Sequence, residues 1–328
     1  MKDVVKRLLQ VIQLGEPQVH KGITIVPLVA PTAGTFQYSA LGEALSGGDL
    51  AITEVSNAGS VPELLVVNRA NQPVLLIDGE ELAGAKQNRV LNTSILLKET
   101  SETKIPVSCT EQGRWAYSSN MFFDSGNVMT QKTRSRKASS VHASLSALGV
   151  HKSNQAEVWS GIVQLQLQAK TKSPTSAMRD VYKAREEDLR QCDEIFKPVP
   201  NQIGCLAFVD GEPAGLDLVS LTSVYSKLHK KLVHSYTLEG LLSAKQQSTS
   251  TDTVPTQARR FLDEIIAAEE TEFPSVGHGT DHRFKAKALA GTALVHQNEV
   301  IHAAFFRLDE SNQPNTPPPQ SQHRRFFS

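Results

Sequence analysis

Cysteine is scarce in this chain. Cys109, Cys192 and Cys205 are the only three among 328 residues, and no two form a CxxC pair. An odd, unspaced set argues against a disulfide framework and against a cysteine zinc cluster, so these read as reduced, structural thiols. There is also no run of about 18 apolar residues that would cross a bilayer as a helix. Met1 to Gly15 carries Lys2, Lys6 and Arg7, with Val4, Val5, Leu8, Leu9, Val11 and Ile12 along one helical face rather than as an unbroken signal core. The expected place is the cytoplasm, with no membrane partner. Net charge is missing too: 34 Lys plus Arg balance 34 Asp plus Glu. Without a basic field, no nucleic-acid partner is expected. Walker loop, complete GxGxxG after a strand, GxSxG elbow, HExxH and EF-hand are all absent. That removes the easily named chemistries, not enzymes in general, and it implies no particular cofactor.

What is present is an ordinary globular balance, 39% hydrophobic and 21% charged. It suffices for one large core or two smaller ones. After the first helix, Ile23 to Leu28, Ala51 to Val55, Glu63 to Val67 and Val74 to Ile77 are β-rich runs broken by Pro, Gly and Asn. Asp78-Gly79 reads as a hairpin turn folding Glu80 to Leu82 back on Leu75 to Ile77, which sends Glu80 and Glu81 to opposite faces. Arg89 to Leu97 alternates as one half-buried strand. Past Trp115, over 116–137, Ser, Asn, Gly and basic residues read as a long surface loop. Ser139 or Ser140 then caps a short helix ended by Gly149. Two helical faces follow, Val158/Trp159/Ile162/Leu165 and Met178/Val181/Tyr182/Arg185/Leu189/Cys192, and should pack as a pair. Asp210-Gly211-Glu212 after the strand Ile203 to Val209 echoes Asp78-Gly79-Glu80, as a duplicated hairpin would. Helical patterns return at Val224 to Leu228, Leu232 to Leu242 and, after a Thr249 to Pro255 linker, Ala258 to Ile266. Phe284 to Leu289, Thr292 to His296 and Val300 to Phe306 close the chain as a β meander. From Asp309 the composition predicts a disordered tail.

Runs of hairpins and runs of helices, without strand-helix alternation, predict an α+β fold of largely antiparallel sheets packed with amphipathic helices. The expected organisation is an N-terminal helix over 1–20, a single α+β domain over 21–308 with a helical insertion near 139–192, and the tail over 309–328.

Chemistry concentrates in two polar blocks at strand ends, 78–89 and 109–115. Lys86, Arg89 and Arg114 suit an anion, and Gln87, Asn88 and Gln112 offer the donors and acceptors that a sugar or base edge needs. Trp115 completes this ligand set. Glu80 or Glu111 would be the general base of a hydrolase; the bland alternative makes Glu80 with Arg89, or Glu111 with Arg114, ion pairs that orient turns. Thr133-Arg134-Ser135-Arg136-Lys137, just before the capped helix, is a second basic run that would suit phosphate, with a solvated mobile loop as its plain reading. His278 and His282 have a metal-like i,i+4 spacing with Asp281 between them. The glycines of Gly277-His278-Gly279 deny the helix that gives the spacing meaning, so no metal ligand is assigned. His296 should pair with Glu299, placing His302 on the other hairpin face.

GEELAGAKQNRVLNTSILL at 79–97, IPVSCTEQGRW at 105–115, VWSGI at 158–162 and DGEPAGLDL at 210–218 resemble the domain family named for its association with ADP-ribosylglycohydrolases and rhodanese-like phosphatases, over roughly Gly22 to Leu308. The resemblance implies a setting in ADP-ribose and NAD metabolism, with proteins of that metabolism as partners, and no established reaction. One departure is Gly84-Ala85, where Gly-Gly is expected. Two readings result: an enzyme or binding domain for an ADP-ribose-like, nucleotide-like small molecule, or a non-catalytic interaction module. Glu80, Arg89, Glu111 and Arg114 converging in one concave pocket would favour the first.

Overall fold

A computed structural model describes residues 3–32, 34–56, 62–243, 245 and 251–308. Among these the fold is α+β, with eight helices and eighteen strands. Every strand pair but one is antiparallel, the exception being Ser39–Ala40 beside Val74–Leu76.

The largest sheet has nine strands, in the order Gln13–Leu14, Ile23–Val29, Gln202–Val209, Glu212–Val219, Glu299–Arg307, Leu289–His296, Thr280–Ala286 and Glu269–Pro274, with Gln18–His20 also paired to Ile23–Val29. Its central strands, Ile23–Val29, Gln202–Val209, Glu212–Val219, Glu299–Arg307 and Leu289–His296, are buried at nearly every position because both their faces are covered. Ile23, Ile25, Cys205 and Ala207 face a core built on the helix Thr222–Leu242, while Val26, Leu28, Leu206 and Phe208 face one built on the helices Val4–Val11 and Val254–Ile266. Helices of 8 and 13 residues do not persist alone in water; burial of Leu9, Phe261 and Ile265, worth roughly 2 kcal/mol each, holds them. The last two strands of the C-terminal meander pair as their pattern predicts, including His296 opposite Glu299, but the expected strand Phe284 to Leu289 is broken by a turn at Lys287-Ala288 that joins Thr280–Ala286 to Leu289–His296.

A six-stranded sheet runs Phe122–Val128, Glu80–Gly84, Arg89–Leu91, Ser101–Cys109, Glu63–Asn68 and Leu50–Glu54. A three-stranded sheet, Ile95–Leu97, Val74–Leu76 and Ser39–Ala40, adjoins it. The helices Gln155–Ala169 and Met178–Ala184 pack together over Val90 and Met129.

Several expectations are corrected. The Asp78-Gly79 turn forms, with Glu80 N donating to Ile77 O at 3.2 Å, but Glu80–Gly84 pairs with Arg89–Leu91 and Phe122–Val128 instead of folding back on Val74–Leu76. Only the second Asp-Gly makes a true hairpin. Arg89 to Leu97 is two strands in two sheets, separated at Asn92-Thr93-Ser94, and all nine residues are buried. The expected surface loop contains the strand Phe122–Val128 and the start of the helix Gln131–Leu148. Ser139 and Ser140 therefore lie inside that helix; its N-cap is Thr130, while Gly149 ends it at φ 67° as expected. The second helical face breaks at Arg185 into Met178–Ala184 and Glu186–Ile195, and 224–242 is one helix. The tail from Asp309 lies outside the described residues.

The helix Gln131–Leu148 buries two of its charges, Arg134 and Lys137, which a local pattern reads as solvated. Arg134 donates to both oxygens of Asp217, at 2.9 and 2.7 Å, and Nε lies 3.6 Å from Asp78. Lys137 is bonded to Asp78 and to the carbonyls of Leu91, at 2.9 Å, and Asn92, at 3.2 Å. Tyr236 Oη donates to Asp217 at 2.6 Å. His302 joins Asp217 to Ser94, and Ser94 accepts from Asp78 N. Arg134, Lys137, Asp78 and Asp217 are each at most 1% exposed, so this network ties the two large sheets together through one helix. Gly79 is required beside it: its φ is +85°, and an added Cβ would meet Arg134 Cδ and Nε at 2.8 Å.

Candidate functional site

Gln87, Asn88, Arg89, Glu111 and Arg114 meet at one end of the six-stranded sheet, held by the turn joining Glu80–Gly84 to Arg89–Leu91 and by the end of Ser101–Cys109. Glu80 is not among them. It is fully buried, accepts from Ile77 N at 2.7 Å and pairs with Lys231 of the helix Thr222–Leu242 at 2.6 Å. Lys231 also binds Asp124 at 2.9 Å. Burial raises the Glu80 carboxyl above its ordinary range, against the pull of Lys231. Five surface cavities of 350 to 740 Å³ are lined by other residues, so the four charged side chains do not share one of these.

Arg114 organises the loop that follows it. Nη1 donates to Ala85 O at 2.6 Å, Ala116 O at 2.9 Å and Ser118 Oγ at 3.1 Å. Nη2 donates to Asn88 Oδ1 at 3.1 Å and Gly84 O at 3.3 Å, and pairs with Glu111 at 2.7 Å. Glu111 accepts further from Thr175 Oγ1 at 2.7 Å and Asn88 N at 3.3 Å. Burial alone would raise the Glu111 carboxyl, but Arg114 and Thr175 outweigh it and hold the pKa below the usual range. The Glu111 and Arg114 pair thus matches the turn-orienting alternative, and Asn88 is bound into the same lattice. Gln112 is exposed on the turn.

The turn Gly84-Ala85 explains why glycine suits its second position. Ala85 has φ 40°, in the left-handed region that favours glycine, and is fully buried. Its N–H donates to Ser119 Oγ and its carbonyl accepts from Arg114 and Ser118, so the backbone serves the loop itself.

What the loop presents is aromatic. Trp115 is 49% exposed and Tyr117 50%. Lys86 Nζ lies 5.6 Å from the Trp115 ring centre and 5.1 Å from that of Tyr117. The Arg89 guanidinium carbon sits 5.5 Å from the same indole. Arg89 is fully buried; Nη1 donates to Gln87 Oε1 at 2.7 Å and Cys109 Sγ at 3.1 Å, while Nε and Nη2 have no hydrogen-bond acceptor. Glu54, also buried, approaches Nη2 only to 3.8 Å, and both its oxygens lack a donor. Burial raises the Cys109 thiol, which keeps it protonated and inert.

Glu54 and Tyr117 were missed by sequence reasoning. Glu54 gave no local signal, ending an alternating strand 35 positions from its partner; Tyr117, two residues after Trp115, could have been flagged by that spacing. Glu81 was missed as well. It points to the opposite face from Glu80, as expected, is fully buried, and accepts from Thr110 Oγ1 at 2.7 Å while Oε2 is unpartnered. Burial raises its pKa to about 7.

The His278 to His282 segment diverges. His278 binds Glu99 at 3.0 Å, Asp281 binds Arg283 at 2.6 Å and His151 at 2.9 Å, and His282 binds Glu270 at 2.7 Å. These three side chains thus share no ligand position.

An α+β scaffold with a loop-presented aromatic surface over a buried ion pair defines the class of structure. The family model of the ARG and Rhodanese-Phosphatase-superfamily-associated Protein domain matches residues 11–306, and the chain belongs to that family. No curated protein and no solved structure matches it. No helix among the described residues is long and apolar enough to cross a membrane.

Proposed function

We propose that the chain is a binding domain for a phosphorylated, nucleotide-like ligand of the ADP-ribose class, recognised at Trp115, Tyr117, Lys86 and Arg89. The supporting observation is Arg89, fully buried beneath a half-exposed indole, with two guanidinium nitrogens that make no hydrogen bond and Glu54 approaching Nη2 only to 3.8 Å. An unsatisfied buried donor costs about 1–3 kcal/mol, so a ligand that supplies an acceptor gives such a group a use. Glu54 beside it offers unpartnered acceptors. The pair therefore suits an edge carrying both a donor and an acceptor, as a carboxamide or an aminopurine does, reached when the Trp115 ring swings aside. The aromatic rings add base stacking worth about 1–3 kcal/mol per base, and Lys86 supplies positive charge for phosphate. The Glu111 oxygens are taken up by Arg114, Thr175 and Asn88 N, and Glu80 is tied to Lys231, so binding rather than hydrolysis is the primary activity in this reading.

The family's named association with ADP-ribosylglycohydrolases supports this ligand class. A second reading, a protein-docking face, is favoured by the exposure of Met121 and Phe123 on the same stretch. Calorimetric titration of ADP-ribose, NAD and ADP into the wild type and Trp115→Ala tests the first. Saturable binding weakened about tenfold or more in the variant is expected from lost stacking. No binding of any of the three, or equal affinity in both proteins, would overturn it.

A further inference from the structure

The edge of the nine-stranded sheet carries a group of metal-ligating side chains separate from the aromatic loop. Glu270 and Glu272 lie on the edge strand Glu269–Pro274, two residues apart and so on one face. His282 stands directly opposite Glu272 on Thr280–Ala286 and shares that face. One donor atom from each, two carboxylate oxygens and an imidazole nitrogen, lies within 4.8 Å of the others.

We infer that Glu270, Glu272 and His282 form a binding site for a zinc-like divalent cation. The donor set, one nitrogen and two oxygens, is one that zinc accepts, and three protein ligands leave the fourth tetrahedral position open. Ligand bonds of about 2 Å put the donors of one zinc ion roughly 3.3 Å apart. Glu270 Oε1 and His282 Nδ1 are already 2.7 Å apart, and the cation takes the place of the proton they share. His282 then carries its remaining proton on Nε2, leaving the Nδ1 lone pair for the metal. His282 is 2% exposed and fixed by its strand, whereas Glu272 is exposed and has room to turn inward.

Charge argues in the same direction. Among the described residues no lysine or arginine forms an ion pair with Glu270 or Glu272, and their one ionisable partner is His282. Two carboxylates this close repel one another and gain from a cation between them. The neighbouring strand contributes Ala293 opposite His282 and Gly291 opposite Phe284, so nothing from that side competes. The acid and base of the other face, Asp281 and Arg283, bind each other and Thr93. At the edge of the sheet the cation has a path from solvent. The site differs from the His278/His282 spacing visible in the sequence, because strand pairing brings Glu270 and Glu272 to His282 while His278 turns to Glu99.

Zinc titrated into the chelator-stripped full chain, followed by calorimetry and by competition with a chromogenic chelator, tests the site. One saturable equivalent is expected. Glu272→Gln should weaken it about tenfold or more by removing a ligand, His282→Ala should abolish it, and His278→Ala should leave it unchanged. Circular dichroism on each variant confirms the fold; should His282→Ala unfold, Glu272→Gln and the absorption spectrum of bound cobalt decide. Absence of saturable binding, affinity unchanged in Glu272→Gln, or affinity lost in His278→Ala would overturn the assignment.

Discussion

Replacing Asp217 by asparagine keeps the volume and removes the charge at the centre of the buried network. Arg134 would keep only the Asp78 oxygen 3.6 Å from its Nε as an anionic partner, and Tyr236 would lose a carboxylate acceptor. Removing one partner of a fully buried pair costs about 3–5 kcal/mol, because the other charge stays in low dielectric. Against a total stability of about 5–15 kcal/mol this is a large fraction. Urea unfolding at pH 7, followed by far-ultraviolet circular dichroism, should show the midpoint falling sharply. Adding Arg134→Met should recover part of the loss, since an apolar side chain of similar length needs no counter-charge. Burial would raise the Asp217 carboxyl, but Arg134 and His302 outweigh it and lower the pKa from 3.8 to about 2. Its stabilising contribution is therefore complete above pH 4 and disappears as pH falls toward 2. The variant should lack that part of acid destabilisation. A variant within about 1 kcal/mol of the wild type, below the range for a broken buried pair, would refute the reasoning.

Glu81 has the opposite sign. With its folded pKa raised from 4.5 to about 7, the wild type loses stability as pH rises between those values, to a limit of roughly 3 kcal/mol. Glu81→Gln should match the wild type near pH 4.5 and be the more stable protein at pH 8 in urea melts; equal stability at pH 8 would count against a protonated, buried Glu81. Gly79→Ala should destabilise by about 2 kcal/mol or more, since the new methyl meets both positive φ and the Arg134 side chain. A thermal melt unchanged from wild type would show that the turn tolerates a Cβ.

The apolar strands were legible because their burial is written into local composition: Ile23 to Leu28 and the last two strands of the meander fall where the pattern puts them. Arg134 and Lys137 were not, because their burial depends on Asp78 and Asp217, 56 or more positions away, and no local pattern distinguishes such charges from solvated ones. The polar block at 92–94 concealed a change of sheet for a similar reason: Thr93 and Ser94 are satisfied by Asp281 and His302. At the site, residue type located the region but not the roles. Arg114 spends its donors on its own loop, Glu80 belongs to another pair, and the groups left short of hydrogen bonds are on Arg89 and Glu54, whose meeting only the sheet order reveals.

The central claim, a nucleotide-like ligand stacking at Trp115, has a direct optical test. The chain holds two tryptophans, Trp115 and Trp159, so Trp159→Phe leaves Trp115 as the sole indole emitter. Titrating ADP-ribose into that variant should quench its emission saturably, with the affinity found by calorimetry. Emission that stays constant while the protein remains folded and ligand is in excess would contradict the account.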